Sequence, residues 1–430
     1  MTERAADSTP GPVVVIGAGK AGFETAIALR ASGWNDRIVL VGDEDALPYE
    51  RPPLSKDFLA GKMERDDVLI DGAVRLPQLE IEFHRATSVE RLDLESKEVV
   101  LSTGESIRYS HVVLATGARP RRLTVPGADL EGVVHLRTLA DAEVLKTTAE
   151  TTESLVVIGG GYVGLEVAAH AASLGVRVRV LEGMSRLLNR SALPETSEHA
   201  LRHHRAVGIE VNLDVRISEL VSDHDGRVRG VLTEDGTLFE AETVLCAIGI
   251  EPCAELAERA GLAVANGIQV DESLRTSAPH VWAIGDCASF PVPYLRQHAR
   301  LESVQNAVEQ ARFVASAIVS GQPGVYRAVP WVASKQGALT VQAAGLTGNH
   351  DSRVVYGDPD SGGFSTLAFD GETLVGIDAI NSPRHFLAAR RVLTQELNGT
   401  PSGLTLERAR SSDFRLEDFG RRRDPEVVSG

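Results

Sequence analysis

Only three of the 430 residues are cysteines, Cys246, Cys253 and Cys287. None belongs to a Cys-x-x-Cys pair. That spacing argues against a zinc or iron–sulfur cage and leaves no redox-active thiol pair near the first glycine cluster. It fits a reducing, cytoplasmic compartment. Basic residues are also in short supply, 44 Lys+Arg against 60 Asp+Glu, for a net charge of -16. Such a balance argues against nucleic acid or an anionic membrane as the main partner, since both need a basic face. No apolar run approaches membrane-spanning length. The opening residues 1–11 are polar, without the apolar core of a signal peptide, and read as a mobile tail.

What is present is an ordinary soluble composition, 43% hydrophobic and 24% charged, in a chain long enough for two or three domains. The 40 glycines fall largely in short clusters after apolar runs. Val13-Val14-Val15-Ile16 reads as a buried parallel strand. A helix over 21–31 follows, stopped by Gly33, and 37–41 is the next strand. The same grammar recurs at Leu155-Val156-Val157-Ile158, with a helix over 162–173, a stop at Gly175 and a strand over 176–181. Two copies so far apart imply two dinucleotide-binding domains, not a solenoid. Each unit has a later strand ending in a tight turn, Val112-Val113-Leu114-Ala115-Thr116-Gly117 and Thr243-Val244-Leu245-Cys246-Ala247-Ile248-Gly249. Residues 98–104 and 228–236 alternate and turn like hairpins. Strand-like pieces at 338–344, 364–369 and 373–377 precede a helix over 383–397, which predicts a small α+β domain. Residues 411–430 read as a loosely held charged tail.

The first glycine cluster is Gly17-Ala18-Gly19-Lys20-Ala21-Gly22. In this pattern the first glycine permits the tight turn, the second lets backbone approach a pyrophosphate, and the third lets helix and strand pack. The helix N-terminus then offers N–H groups to phosphate. Asp43 and Glu44 follow the next strand, where an acid binds ribose hydroxyls. The second cluster is Gly159-Gly160-Gly161-Tyr162-Val163-Gly164. Glu182 ends its following strand, accepts from an adenosine ribose and repels a 2′-phosphate, so NADH is favoured over NADPH. Arg186 nearby weakens that preference, because a swung arginine meets a 2′-phosphate.

Spacing alone does not say which unit holds which dinucleotide. Thr276-Ser277-Ala278-Pro279-His280-Val281-Trp282-Ala283-Ile284-Gly285-Asp286-Cys287-Ala288 resembles the second FAD motif of glutathione-reductase-like flavoproteins. There Asp286 accepts from a ribityl hydroxyl and the next helix's N-terminus faces the pyrophosphate. The resemblance narrows with Arg51-Pro52-Pro53-Leu54-Ser55-Lys56, with Ala118-Arg119-Pro120, with His135-Leu136-Arg137-Thr138-Leu139, and with the run from Arg300-Leu301-Glu302-Ser303 through Val304 to Arg312. Together they are similar to the oxygenase-coupled, FAD-dependent NADH:ferredoxin reductases, the putidaredoxin and rubredoxin reductase family. The likeness covers about Val13 to Arg391 and is weakest after Pro330.

The resemblance implies an α/β fold with two Rossmann-like dinucleotide-binding domains, one for FAD and one for NAD, plus a smaller α+β C-terminal domain. The boundaries expected are 1–123 and 250–326 for the FAD domain, 124–249 for the NAD domain, and 327–430 for the C-terminal domain. It implies FAD contacts at Gly17, Gly19, Ala21, Gly22, Asp43, Arg51, Lys56, Val89, Ala115, Thr116, Gly117, Arg137, Gly285, Asp286 and Val304. It implies NAD contacts at Gly159, Gly161, Tyr162, Val163, Gly164, Glu166, Glu182 and Gly249. Lys56 is placed beside the flavin ring, with Glu166 as the acid that pairs with it and meets the nicotinamide carboxamide; these two are the catalytic candidates. No metal site is expected. Electrons are expected to run from NADH through FAD to a [2Fe-2S] ferredoxin serving an oxygenase, in a cytoplasmic monomer or homodimer.

The match frays after Pro330. The family's Trp-aromatic-Trp-Ser-Asp-Gln box stands here as Trp331-Val332-Ala333-Ser334-Lys335-Gln336. A changed partner, a reductase that no longer serves a ferredoxin, and drift with compensating packing all remain open. So do two rivals, a flavoenzyme acting on a small molecule or dioxygen and an NADH-sensing flavoprotein similar to apoptosis-inducing factor. Arg296, Arg300, Lys335, Arg384, Arg390 and Arg391 are candidates for a basic patch that an acidic ferredoxin needs. His298, His203 and His204 read as structural or exposed.

Overall fold

The computed structural model describes residues 11–292 and 297–420. The N-terminal stretch 1–10, Arg296, and Arg421, Arg422 and Arg423 lie outside them. The chain gathers into two compact units, Met1–Pro120 with Ile250–Arg327, and Arg121–Gly249 with Ala328–Gly430. Among the described residues no helix is long and apolar enough to cross a membrane.

In the first unit Val13–Ile16 is the middle strand of a five-stranded parallel sheet. It pairs with Ile38–Val41 (Val13 opposite Ile38) and with His111–Leu114 (Val13 opposite His111). All four of its residues are buried, as a strand covered on both faces requires. Each such side chain contributes about 1.5–3 kcal/mol of burial. Ile81–His84 and Val281–Ala283 close the two edges. The helix Lys20–Ala31 packs along the helix Val304–Ser320. The small residues Ala21 and Ala26 on one and Ala307, Ala311 and Ala315 on the other are buried. A three-stranded antiparallel sheet, Val89–Asp93, Glu98–Leu101 and Ser106–Arg108, completes the unit's first segment.

The second unit repeats the plan. Ser154–Ile158 pairs in parallel with Arg177–Leu181 and Thr243–Cys246. Glu210–Asn212 and Val133–Val134 lie at the edges, and Ile217–Ser222, Val228–Thr233 and Leu238–Glu240 form its antiparallel sheet. The outer strand on the Thr243–Cys246 side here precedes the glycine cluster in sequence, whereas in the first unit it comes late in the chain. The same unit contains the C-terminal five-stranded antiparallel sheet, with Trp331–Gln336 at one edge, followed by Leu339–Gly345, Thr373–Ile380, Gly363–Asp370 and Ser352–Asp358. The helix Pro383–Leu397 covers one face of it.

Residues 411–420 correct the expectation of a loose tail. Phe414 is 8% exposed and Leu416 is fully buried in the C-terminal core, with Phe419 packed against it. These apolar residues sit among charges, so average polarity hid them while spatial neighbours decide their burial.

Candidate functional site

In the first unit Gly17 has φ +106°, and a Cβ there would stand 2.1 Å from the Ala115 carbonyl oxygen. A Cβ on Gly22 would stand 1.8 Å from the Gly17 carbonyl oxygen. Both positions therefore demand hydrogen as the side chain. Gly19 differs, because a Cβ there would meet nothing within 4 Å. Space of that kind, in front of a helix N-terminus, is the approach that a pyrophosphate needs. A Cβ on Gly285 would meet the Ala21 methyl at 3.0 Å, so the first fingerprint and the Gly285-Asp286 turn lie side by side.

Around this turn the acids are matched by cations. Arg51 Nη2 lies 2.6 Å from Glu44 Oε1, Tyr49 Oη donates to Glu44 Oε2 at 2.5 Å, and the Arg51 guanidinium stands over the Tyr49 ring. Burial opposes the charge of Arg51, but Tyr49, Glu44 and Asp286 around it raise its affinity for the proton overall. Asp43 is exposed and Lys56 half-buried just after the turn Pro52–Ser55. Lys56 Nζ donates to the Pro52 carbonyl at 3.2 Å. Thr116 Oγ1 donates to the Cys253 carbonyl at 2.5 Å, and the Cys253 N–H to the Gly117 carbonyl at 3.0 Å. Val89 opens the strand Val89–Asp93, and Val304 opens the helix Val304–Ser320 while 38% exposed. Arg137 belongs to the second unit, half-buried just before the helix Leu139–Thr151.

The second unit repeats the glycine logic. Gly159 has φ +105°, with a Cβ only 2.5 Å from the Ala247 carbonyl oxygen, Gly164 is closed by the Gly159 carbonyl, and Gly161 is open to 4 Å. Glu182 is held by backbone, accepting from the Gly160 N–H at 2.6 Å and the Met184 N–H at 2.8 Å. Arg186 is tied down by the Ala192 carbonyl and Ser197 Oγ, both at 2.7 Å, and by the Asn189 carbonyl at 2.9 Å. Gly249 has φ +100° beside the Arg190 guanidinium. Val163 is 41% exposed at the start of the helix Tyr162–Ser173. Glu166 is 4% exposed on the same helix and accepts from Ser334 Oγ at 2.7 Å.

The helix ends supply a test of fit for dinucleotides. The helices Lys20–Ala31 and Tyr162–Ser173 start at glycine, with no side-chain cap and no acid in the first turn. Elsewhere Thr138 and Asp141 form a capping box and Ser303 caps the helix Val304–Ser320. Uncapped N–H groups facing open space suit a phosphate-bearing ligand. The residues present therefore fit FAD and a pyridine nucleotide. All three cysteines are free, and burial pushes the thiols of Cys246 (up to about 12) and Cys287 upward, away from reactivity.

Several supporting residues escaped the sequence. Gln310 is fully buried and its Oε1 accepts from the Gly285 N–H at 2.7 Å. Arg300 corrects its assignment to a surface patch: its side chain is 6% exposed, paired with Glu302 at 2.8 Å. It also donates to the Asp286 carbonyl at 3.1 Å. Charge-assisted bonds to the Glu302 carboxylate and the Asp286 carbonyl offset the cost of burying this guanidinium. Arg390 lies over the Trp331 ring. Lys335, Arg384 and Arg391 remain exposed. The next helix after Gly285-Asp286 is Val304–Ser320. The strand Ala288–Val292 intervenes, and the helix Val304–Ser320 contacts the turn from later in the chain. His204, unlike an exposed histidine, is fully buried.

Residues 11–311 match the family described as pyridine nucleotide-disulphide oxidoreductase, and 331–409 match the family described as reductase C-terminal. Rhodocoxin reductase of Rhodococcus erythropolis is 43% identical over 94% of this chain and 93% of that protein. Putidaredoxin reductase of Pseudomonas putida is 37% identical over 91% of this chain and 93% of its own length. Among solved structures, a ferredoxin reductase for the CYP199A2 system from Rhodopseudomonas palustris superposes with TM-score 0.90 at 37% identity, covering 95% of this chain and 99% of that one. The covalent putidaredoxin reductase–putidaredoxin complex does so with TM-score 0.90 at 35% identity, over 95% and 97%. With its paired glycine turns, its uncapped helix ends and its C-terminal sheet, the chain belongs to the pyridine nucleotide-disulphide oxidoreductase family, among the flavoprotein ferredoxin reductases.

Proposed function

We propose that the protein oxidises NADH and delivers the electrons one at a time to a [2Fe-2S] ferredoxin that serves an oxygenase, in the cytoplasm. Bound FAD would supply the conversion between the two-electron hydride and the one-electron iron–sulfur centre. The chain's part is to bind, orient and set charge. Gly17, Gly19, Ala21 and Gly22 would hold the FAD pyrophosphate. Asp43, Arg51, Val89, Ala115, Thr116, Gly117, Arg137, Gly285, Asp286 and Val304 would contact the rest of that molecule. Gly159, Gly161, Tyr162, Val163, Gly164 and Gly249 would hold the nicotinamide dinucleotide. Lys56 would set positive charge beside the flavin ring, and Glu166 would orient the nicotinamide carboxamide.

The observation that carries the nucleotide choice is Glu182. Its carboxylate is fixed on two backbone N–H groups at the end of its strand, with lone pairs left for ribose hydroxyls and a charge that repels a 2′-phosphate. Arg186, the nearby cation that would favour the phosphate, is spent on three internal acceptors. A ferredoxin partner is supported by the likeness to the putidaredoxin reductase–putidaredoxin complex over nearly the whole chain. The exposed Lys335, Arg384 and Arg391 suit an acidic protein. The departures at Ala333 and Lys335 are both exposed on the edge strand, so they alter the surface offered to a partner. NADH-driven cytochrome c reduction tests the reading. It should depend on an added [2Fe-2S] ferredoxin. Equal rates without ferredoxin, or turnover of a small molecule, would overturn it.

A further inference from the structure

Glu166 is almost fully buried, and a buried carboxylate is costly unless its lone pairs are met. One partner comes from far along the chain. Ser334 Oγ, on the edge strand Trp331–Gln336, donates to Glu166 Oε1 at 2.7 Å across 168 positions of sequence. Ser334 Oγ in turn lies 3.2 Å from Gln336 Nε2. Gln336 Oε1 lies 2.8 Å from Nε2 of His204, on the helix Pro194–Ala206. Ser334 is 2% exposed, and Gln336 and His204 are fully buried. Strand alternation divides the labour: 334 and 336 point inward, while 333 and 335 face solvent.

The polarity of this chain is dictated by chemistry. An ionised carboxylate only accepts, so the serine donates its single proton to Glu166. Its oxygen then accepts from the glutamine NH2, which leaves the amide carbonyl to accept from the imidazole. His204 therefore carries its proton on Nε2, and all three donors point toward Glu166. His204 Nδ1 has no hydrogen-bond partner among the described residues. A second proton on the ring would be a buried, unpaired N–H. Burial accordingly lowers its proton affinity below the ordinary histidine value.

We infer that Ser334, Gln336 and His204 are positioning residues that fix the orientation of the Glu166 carboxylate toward NADH, so that the C-terminal segment takes part in the reductive half of the reaction. The inference rests on the role proposed for Glu166. It predicts a loss that passes through Glu166 and nowhere else. A hydrogen bond to a charged acceptor is worth about a tenfold effect or more.

The test is anaerobic stopped-flow reduction of the full-length holoprotein by NADH, with flavin content and thermal midpoint recorded for every variant. Ser334→Ala should lower the limiting rate of flavin bleaching about tenfold, while Ser334→Thr, which keeps the hydroxyl, restores it. His204→Phe, at the remote end, should lower it about threefold. In a Glu166→Gln background neither change should slow the reaction further, because the group they position has already lost its charge. Full and independent losses in that background, with matching falls in thermal midpoint, would mean a merely structural network and overturn the inference. So would wild-type rates in both Ser334→Ala and His204→Phe beside a slow Glu166→Gln. A Glu166→Gln protein that bleaches at the wild-type rate sinks the reading of Glu166 itself, and the inference with it. If Ser334→Ala does not fold, the His204→Phe and Glu166→Gln cycle decides.

Discussion

The two nucleotide-binding lobes share a sheet order and a glycine turn, yet they settle their acids in opposite ways. In the first, Glu44 is paired with Arg51 at 2.6 Å, and Asp286 lies close enough to favour the same guanidinium. The position directly after the second strand is Gly42, where a Cβ would meet the Ala18 methyl at 2.6 Å. In the second lobe that position is Glu182, held by the Gly160 and Met184 N–H groups. Glu166 takes a serine hydroxyl. Asp378, 1% exposed on the C-terminal sheet, accepts from the Leu193 N–H at 2.6 Å, at the N-cap of a helix whose own cap residue contributes no side-chain bond. A carboxylate matched by a cation is neutral to a newcomer. Glu182 and Asp378 take backbone N–H groups where Glu44 takes a guanidinium. The scaffold is thus common, and the treatment of charge separates the lobe read as FAD-binding from the lobe read as NADH-binding.

The change that breaks the comparison most severely is at the shared turn. Gly17→Ala should cost about 3 kcal/mol or more, because positive φ and a backbone clash combine, and the expressed protein should be largely unfolded by circular dichroism. Gly19→Ala, with open space before it, should lose its bound flavin and yet fold, with the melting midpoint of the flavin-free wild type. The equivalent pair in the second lobe, Gly159→Ala and Gly161→Ala, should divide in the same way, with the second raising the KM for NADH and keeping the flavin.

Asp378 comes next. Burial raises its carboxyl from 3.8 to about 6, against the pull of the Leu193 N–H. An acid raised on folding gives stability that is full below pH 3.8 and lost as pH rises through about 6. The shift corresponds to about 3 kcal/mol. Asp378→Asn still accepts from Leu193 but cannot ionise. Its stability relative to the wild type, from urea melts, should therefore climb between pH 4 and 6 and stay level above.

A smaller effect belongs to Glu182. Glu182→Gln removes the charge and keeps an acceptor, so the NADH over NADPH preference in kcat/KM should fall about tenfold. The smallest concerns the surface. Lys335→Glu should raise the KM for an acidic ferredoxin about twofold to fivefold at low salt, vanishing at high salt, with flavin reduction by NADH unaltered.

Sequence pattern was most informative where a single backbone event is decisive. The helices Tyr162–Ser173 and Pro383–Leu397 were read with these same bounds, because a glycine turn opens one and a proline at the first helical position opens the other. The glycine roles followed from steric demands that any chain must meet. What stayed hidden depends on contacts across great sequence distance. His204 meets Gln336 across 132 positions and Asp378 meets Leu193 across 185, and no local pattern marks a histidine or aspartate for burial. Arg300 looked like surface charge because its acceptor is a backbone carbonyl at Asp286, which a sequence does not display. The aromatic and leucine residues of 411–420 were masked by the charges among them.

We propose that the second lobe's carboxylates, Glu182 and Glu166, select and orient NADH for reduction of bound FAD. Anaerobic titration of the purified protein, followed in the visible spectrum, tests it most directly. One equivalent of NADH should bleach the yellow protein, with NADPH far slower at the same concentration. A colourless protein that takes up no FAD, or bleaching at equal rates by the two nucleotides, would contradict the proposal.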